Sequence, residues 1–159
     1  MALHRSLELL VPQAQNKCQA LLDGCAESSV LQKLGYRVIL LETLRELATQ
    51  MAYAVKSRIK ARPEDGMEDH QWVQAFFRKA GLDWIPTKAE NQRPSTWTLE
   101  SKHIDGKAFD IALSKDGSNP DWNASEEAWN EVWSIARALG LVCGADFKNK
   151  KDPGHFELA

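Results

Sequence analysis

Ser101-Lys-His-Ile-Asp-Gly-Lys-Ala-Phe-Asp110 sets a histidine and a carboxylate on either side of an Asp105-Gly106 pair. Asp-Gly is a strong turn signal, because glycine adopts positive φ without steric cost. After the turn, Ala108-Phe109-Asp110-Ile111-Ala112-Leu113 reads as a short buried strand. A turn between His103 and Asp110 can bring both side chains to one point. Imidazole and carboxylate suit Zn²⁺, which in catalytic sites takes a third protein ligand and keeps one position open.

The candidate third ligand lies at the carboxyl end, in Asp152-Pro-Gly-His155-Phe-Glu-Leu158. Alternation there points His155 and Glu157 one way and Phe156 and Leu158 the other, the pattern of a strand with one face on a core. Asp152, separated from His155 by Pro-Gly, is placed to lie beside a metal without ligating it. An uncoordinated carboxylate is what a zinc peptidase needs to move a proton from water to the leaving amine.

Together the S-x-H-x-x-G-x-A-x-D run and the terminal D-x-x-H-F-E resemble the metal-binding motifs of the zinc D-alanyl-D-alanine carboxypeptidase and L-alanyl-D-glutamate peptidase family, which includes VanY-type enzymes and many phage endolysins. The resemblance implies His103, Asp110 and His155 as zinc ligands and Asp152 as general base. It extends to a strand followed by R-x-x-x-x-Q, and so implies that Arg45 approaches the substrate carboxylate or the oxyanion of the tetrahedral intermediate. Gln50 and Ser101 are implied as substrate-binding residues. The chain departs from the family pattern at Glu46, where a small hydroxyl residue is usual, and at Ser57, where glycine is frequent. It departs again at Cys143-Gly144-Ala145-Asp146-Phe147, where W-G-G-x-W is common: glycine and an aromatic remain, the tryptophans do not.

At 159 residues the chain is expected to form a single peptidase domain over 1–159 with a sizeable core. A hydrophobic fraction of 43% and six tryptophans argue against disorder. The formal net charge of -2 gives no general attraction to nucleic acid, so none is expected as a partner. Lys148-Asn-Lys-Lys151 reads as a solvated loop, with binding of a substrate carboxylate left open by its closeness to Asp152. Three cysteines without C-x-x-C spacing do not make a disulfide framework, which favours synthesis in a reducing compartment. No apolar run is long enough to span a bilayer, and the first residues lack a basic region followed by an apolar core. Neither membrane insertion nor an export signal is expected. Cys143 as a fourth ligand would close the site to hydrolysis, so it is not counted.

Along the chain, residues 6–34 read as helical, with Pro12 near a start and Gly24 and Gly35 as boundaries; His4 falls in an expected frayed terminus. Tyr36–Leu41 reads as a buried strand. Residues 44–58 read as an amphipathic helix with Leu44, Leu47, Met51 and Val55 inward, and residues 68–80 as another with Trp72, Val73, Phe76 and Phe77 inward. His70 is expected to face solvent. Trp84 and Trp97 are assigned to covering the core. Residues 126–139 read as a helix capped by Ser125 and stopped by Gly140, with Trp129, Val132, Trp133, Ala136 and Leu139 buried.

The expected fold is α+β: a small, mainly antiparallel sheet carrying the zinc site, with helices around it. The expected activity is zinc-dependent hydrolysis of peptidoglycan stem peptides. Resemblance alone prefers an L-alanyl-D-glutamate endopeptidase acting as a monomeric phage endolysin, which accumulates in the host cytoplasm and meets the wall after membrane permeabilisation. Two alternatives stand beside it: a bacterial D-alanyl-D-alanine carboxypeptidase, and a zinc-binding module of the same fold without catalysis.

Overall fold

The structure is a computed structural model that describes residues 4–58, 60, 61, 64, 66–94 and 101–159. The assignment of Trp97 therefore lies outside the described residues, as do parts of the loop at 62–67. The elements are α1 (Pro12–Glu27), α2 (Ser29–Leu34), β1 (Arg37–Glu42), α3 (Leu47–Val55), α4 (Asp69–Lys79), β2 (Ala108–Ser114), α5 (Glu126–Ala138), β3 (Leu141–Cys143) and β4 (His155–Leu158). They fall into two compact units, His4–Leu44 with Asp105–Ala159, and Arg45–Ile104.

The first of these contains the sheet. Its order is β1-β2-β4-β3 and every pairing is antiparallel, giving the expected α+β architecture. Strand alternation divides the side chains into two sets. Phe109, Ile111, Leu113, Phe156 and Leu158 join one buried cluster with Ala14, Cys18 and Leu21 of α1 and Ala128, Val132 and Ala136 of α5. Asp110, His155 and Glu157 occupy the opposite phase. Phe109 and Phe156 are direct cross-strand partners whose rings stack at 5.9 Å.

Helix boundaries follow local chemistry. Pro12 opens α1, where its missing N–H costs nothing. The Ser28 hydroxyl accepts the Leu31 N–H to cap α2, and Gly35 ends that helix at φ 72. Ser125 caps α5 by accepting from the Ala128 N–H. Two expectations need correction. Gly24 does not bound a helix; it lies inside α1, where an added Cβ would stand 3.0 Å from the Ile135 side chain of α5, so the residue serves close helix packing. His4 is not frayed: its carbonyl accepts both the backbone N–H (2.7 Å) and the hydroxyl (3.1 Å) of Thr43.

In the other unit, Ala52, Tyr53, Val73, Phe77, Ala80 and Leu82 form a separate core between α3 and α4. Trp84 meets Phe77 edge-on at 4.8 Å. Glu68 and Gln71 close a capping box on α4. Here the inward stripe expected for residues 44–58 is corrected. The helix spans only Leu47–Val55, and Leu47 and Met51 are exposed at 58% and 44%. Its enclosed face is Thr49, Gln50, Ala52, Tyr53 and Ala54. Small Ala52 and flat Tyr53 fit against α4, and the longer apolar chains lie on the other side. His70 is not fully solvent-facing; its side chain is 18% exposed, with Nδ1 3.1 Å from Glu68.

Candidate metal centre

Asp110 and His155 are direct partners in the β2–β4 register, brought together across 45 residues of chain. His155 Nδ1 lies 3.0 Å from Asp110 Oδ1, and its Nε2 lies 2.9 Å from Glu157 Oε2. Burial favours a neutral imidazole here, but hydrogen bonds to Asp110 and Glu157, with the nearby Asp152 charge, outweigh it and raise the pKa to about 9. At neutral pH His155 is thus an imidazolium donating to two carboxylates. The pocket around it is built for positive charge.

Close backbone packing shapes the turn before His155. The Asp152 N–H donates to the Gly144 carbonyl at 2.9 Å, and the His155 N–H donates to the Asp152 carbonyl at 3.1 Å. A Cβ at Gly144 would come within 2.3 Å of the Asp152 carbonyl oxygen and 2.9 Å of His155 Cβ. At Gly154 it would meet the Ile111 carbonyl oxygen at 2.5 Å. Two glycines therefore let the Asp152–His155 turn lie flat against its neighbours. The Trp133 indole N–H of α5 reaches the same turn and donates to the Pro153 carbonyl at 3.0 Å. Phe147, the surviving aromatic of the glycine turn, sets its ring 5.7 Å from the His155 ring.

The 101–110 stretch forms the expected turn. Ser101 Oγ accepts the His103 N–H at 3.3 Å, and the Ser101 carbonyl accepts the Ile104 N–H at 3.0 Å. Gly106 takes φ 66, and a Cβ there would stand 2.9 Å from the Leu9 carbonyl oxygen. His103 is 1% exposed. His103, Asp110 and His155 each offer one ligand atom, and these atoms all lie within 4.8 Å of one another. Ligands of a tetrahedral zinc with bonds of about 2.0–2.1 Å stand roughly 3.4 Å apart. Two imidazoles and one carboxylate, with Glu157 on the far nitrogen of His155, match what zinc takes in first and outer shells. The donor set fits a divalent cation.

The remaining residues singled out in the sequence are placed as follows. Asp152 is exposed on the turn before His155. Arg45 precedes α3 rather than lying within it; its guanidinium donates to Gln50 Oε1 at 2.8 Å and stacks 5.0 Å from the centre of the Tyr53 ring. The Arg45 N–H donates to the His103 carbonyl at 3.1 Å. Gln50 is wholly enclosed, at 0% exposure. Cys143 is buried with its thiol near the Trp133 carbonyl, and burial raises its pKa. Sequence reasoning passed over Glu42, a buried carboxylate opposite Asp110 across a β-bulge, and Tyr53. It found no use for Gly144 beyond its place in the pattern. Nothing local in the sequence marks either residue, since the bulge beside Glu42 shows only in the β1–β2 register.

Residues 94–158 match the family model described as D-alanyl-D-alanine carboxypeptidase. Over 66 residues the chain is 36% identical to the peptidoglycan L-alanyl-D-glutamate endopeptidase CwlK of Bacillus subtilis, a match covering 37% of this chain and 40% of that protein. The chain thus spans well under two thirds of this curated relative. Among solved structures it resembles the L-Ala D-Glu endopeptidase ChiX of Serratia marcescens, with a TM-score of 0.54 and 17% identity over 96% of this chain and 83% of that one. That likeness establishes a shared fold. A weaker one, with a TM-score of 0.48 and 17% identity over 94% of this chain and 72% of the other, is to the vancomycin resistance D,D-pentapeptidase VanY in complex with Zn(II).

Proposed function

We propose that this protein, whose residues 94–158 match the D-alanyl-D-alanine carboxypeptidase family model, is a zinc metallopeptidase of that family that hydrolyses a peptide bond in peptidoglycan stem peptides. The observation that carries the reading is the convergence of His103, Asp110 and His155 within 4.8 Å, with Asp152 on the turn leading into His155. These three residues would hold Zn²⁺. A cation bound there supplies Lewis acidity, lowering the pKa of a water towards neutrality and polarising the scissile carbonyl. Asp152 takes the proton from the attacking water and delivers it to the leaving amine. Arg45, whose planar fork stays charged, binds the substrate carboxylate or the developing oxyanion. Glu157 accepts from His155 Nε2, holding the imidazole with Nδ1 turned to Asp110. Ser101, whose hydroxyl supports the His103 turn, is proposed to act there and at the substrate.

The preferred bond is L-alanyl-D-glutamate, supported by the 36% identity to CwlK. Release of terminal D-alanine is the second reading, favoured by the family description. Phage lysis is the proposed setting, on resemblance. Mass spectrometry of fragments released from purified peptidoglycan separates internal cleavage from loss of D-alanine, and metal analysis of the purified protein tests for one zinc per chain. Asp152→Ala is expected to retain zinc and lose wall digestion by at least about a hundredfold. Undiminished digestion removes Asp152 as base, and a zinc-loaded wild type that digests nothing leaves a binding module instead.

A further inference from the structure

We propose that Tyr53 and Gln50 are positioning residues that clamp Arg45 for its work on the substrate, an inference that rests on the peptidase reading above. Three separate contacts converge on Arg45. Its guanidinium face lies 5.0 Å from the Tyr53 ring centre, its Nη1 donates to Gln50 Oε1 at 2.8 Å, and its backbone N–H donates to the His103 carbonyl at 3.1 Å. Arg45 itself lies two residues before the helix, so its side chain is ordered by these contacts and not by neighbours along a helical face. The two residues that grip it, Gln50 and Tyr53, are spaced three apart on one face of α3.

Both grips come from firmly held groups. Gln50 is 0% exposed and Tyr53 is 7% exposed. Tyr53 is fixed in turn by Phe77 at 5.8 Å and Trp84 at 6.1 Å. A side chain so enclosed has little access to a stem peptide. The substrate-binding role that resemblance assigns to Gln50 is therefore exercised through Arg45. An arginine otherwise loses considerable rotamer entropy on engaging a carboxylate or oxyanion. Stacking on Tyr53 and bonding to Gln50 meet that cost in the free protein, which leaves the planar fork set in one orientation. The His103 contact sets the same residue's backbone against the turn that bears a proposed zinc ligand.

Two measurements on the full-length zinc-loaded protein test the clamp. The first reads the Arg45 Nε–H order parameter by NMR, using Arg45→Lys to assign the signal. A rigid signal is expected in the wild type and in Tyr53→Phe, which keeps the ring, and a mobile one in Tyr53→Leu and Gln50→Leu. An order parameter unchanged by both leucine variants overturns the proposal whether or not the protein is active. The second is a double-mutant cycle on peptidoglycan hydrolysis. Tyr53→Leu and Gln50→Leu are each expected to lower kcat/KM about tenfold in the wild type and less than about twofold in Arg45→Ala. Equal losses in both backgrounds mean that Tyr53 and Gln50 merely support the fold, and overturn the clamp. An Arg45→Ala variant with wild-type kcat/KM instead removes Arg45 from the reaction, a failure of the function reading that the order parameter distinguishes from failure of the clamp.

Discussion

His155 concentrates the electrostatics of the centre, and its titration has a defined sign. The folded-state pKa of about 9 lies above the ordinary histidine value of about 6.5, so the metal-free protein gains stability from the bound proton. That gain is complete below about pH 6.5 and lost as pH rises through about 9, amounting to about 3 kcal/mol. Urea denaturation of chelator-treated protein is expected to show the midpoint falling between pH 6 and 9. Zinc binding runs the other way across this window, because the ion must displace the proton. A flat stability profile for the metal-free protein would contradict the paired carboxylates. Gly144 is the second residue on which the site turns. A methyl group there meets backbone oxygen at 2.3 Å, which no side-chain rotation relieves. Gly144→Ala is expected to cost at least about 1–3 kcal/mol in thermal unfolding and to weaken zinc binding with it, since the Asp152–His155 turn must shift. Wild-type zinc affinity in that variant would show that the turn accommodates the change.

Among the elements, α5 acts as a brace for the Asp152–His155 turn. Its inner face packs through Ala128, Val132 and Ala136, and Trp133 stacks its ring face on Trp129 at 5.9 Å while its indole N–H holds the Pro153 carbonyl. The bidentate Arg137–Asp146 pair also joins α5 to the turn after β3, but both partners are about half exposed, so it contributes little. The end of α3 offers a sharper test. Ser57 follows the helix at φ 66, a left-handed conformation that costs a residue with a Cβ about 1 kcal/mol, and its N–H donates to Asn91 Oδ1 at 3.1 Å. The family resemblance expects glycine at this position. The Ser57 backbone adopts the left-handed geometry that glycine favours. Ser57→Gly is expected to raise stability by roughly 0.5 kcal/mol, after the extra backbone entropy of glycine in the unfolded chain is subtracted. Calorimetry that shows a lower Tm would mean the serine side chain holds something the backbone does not.

For the molecule as a whole, the strongest expected effect is metal linkage. A ligand that binds only the folded state at a hundred times its Kd stabilises by about 2.7 kcal/mol. Zinc added to chelator-treated protein should therefore raise the denaturation midpoint in wild type and in Asp152→Ala, and fail to do so in Asp110→Asn. A zinc-dependent shift that survives loss of the Asp110 carboxylate would place the ion elsewhere. The three cysteines do not compete for it in the folded chain: all are buried, and burial pushes the Cys18 and Cys25 thiols up to about 12.

From the order of amino acids alone came the two motifs that carry His103, Asp110 and His155, the α5 and α4 helices, the strand at 108–113, and the phase of the last strand that sends Phe156 inward and His155 to the other face. These were legible because side-chain period and turn chemistry act within a few residues. The start of α3, its exposed Leu47 and Met51, and the enclosed Gln50 were not. Periodicity shows that a helix has an apolar stripe, but the partner packed against it decides which residues are covered. Nor could spacing disclose that Asp110 stands opposite His155, that Gly144 must lack a side chain, or that Tyr53 lies under Arg45. Those depend on segments far apart in the chain meeting in one register and at one distance. Only folding sets such distances, because it alone brings the backbones together.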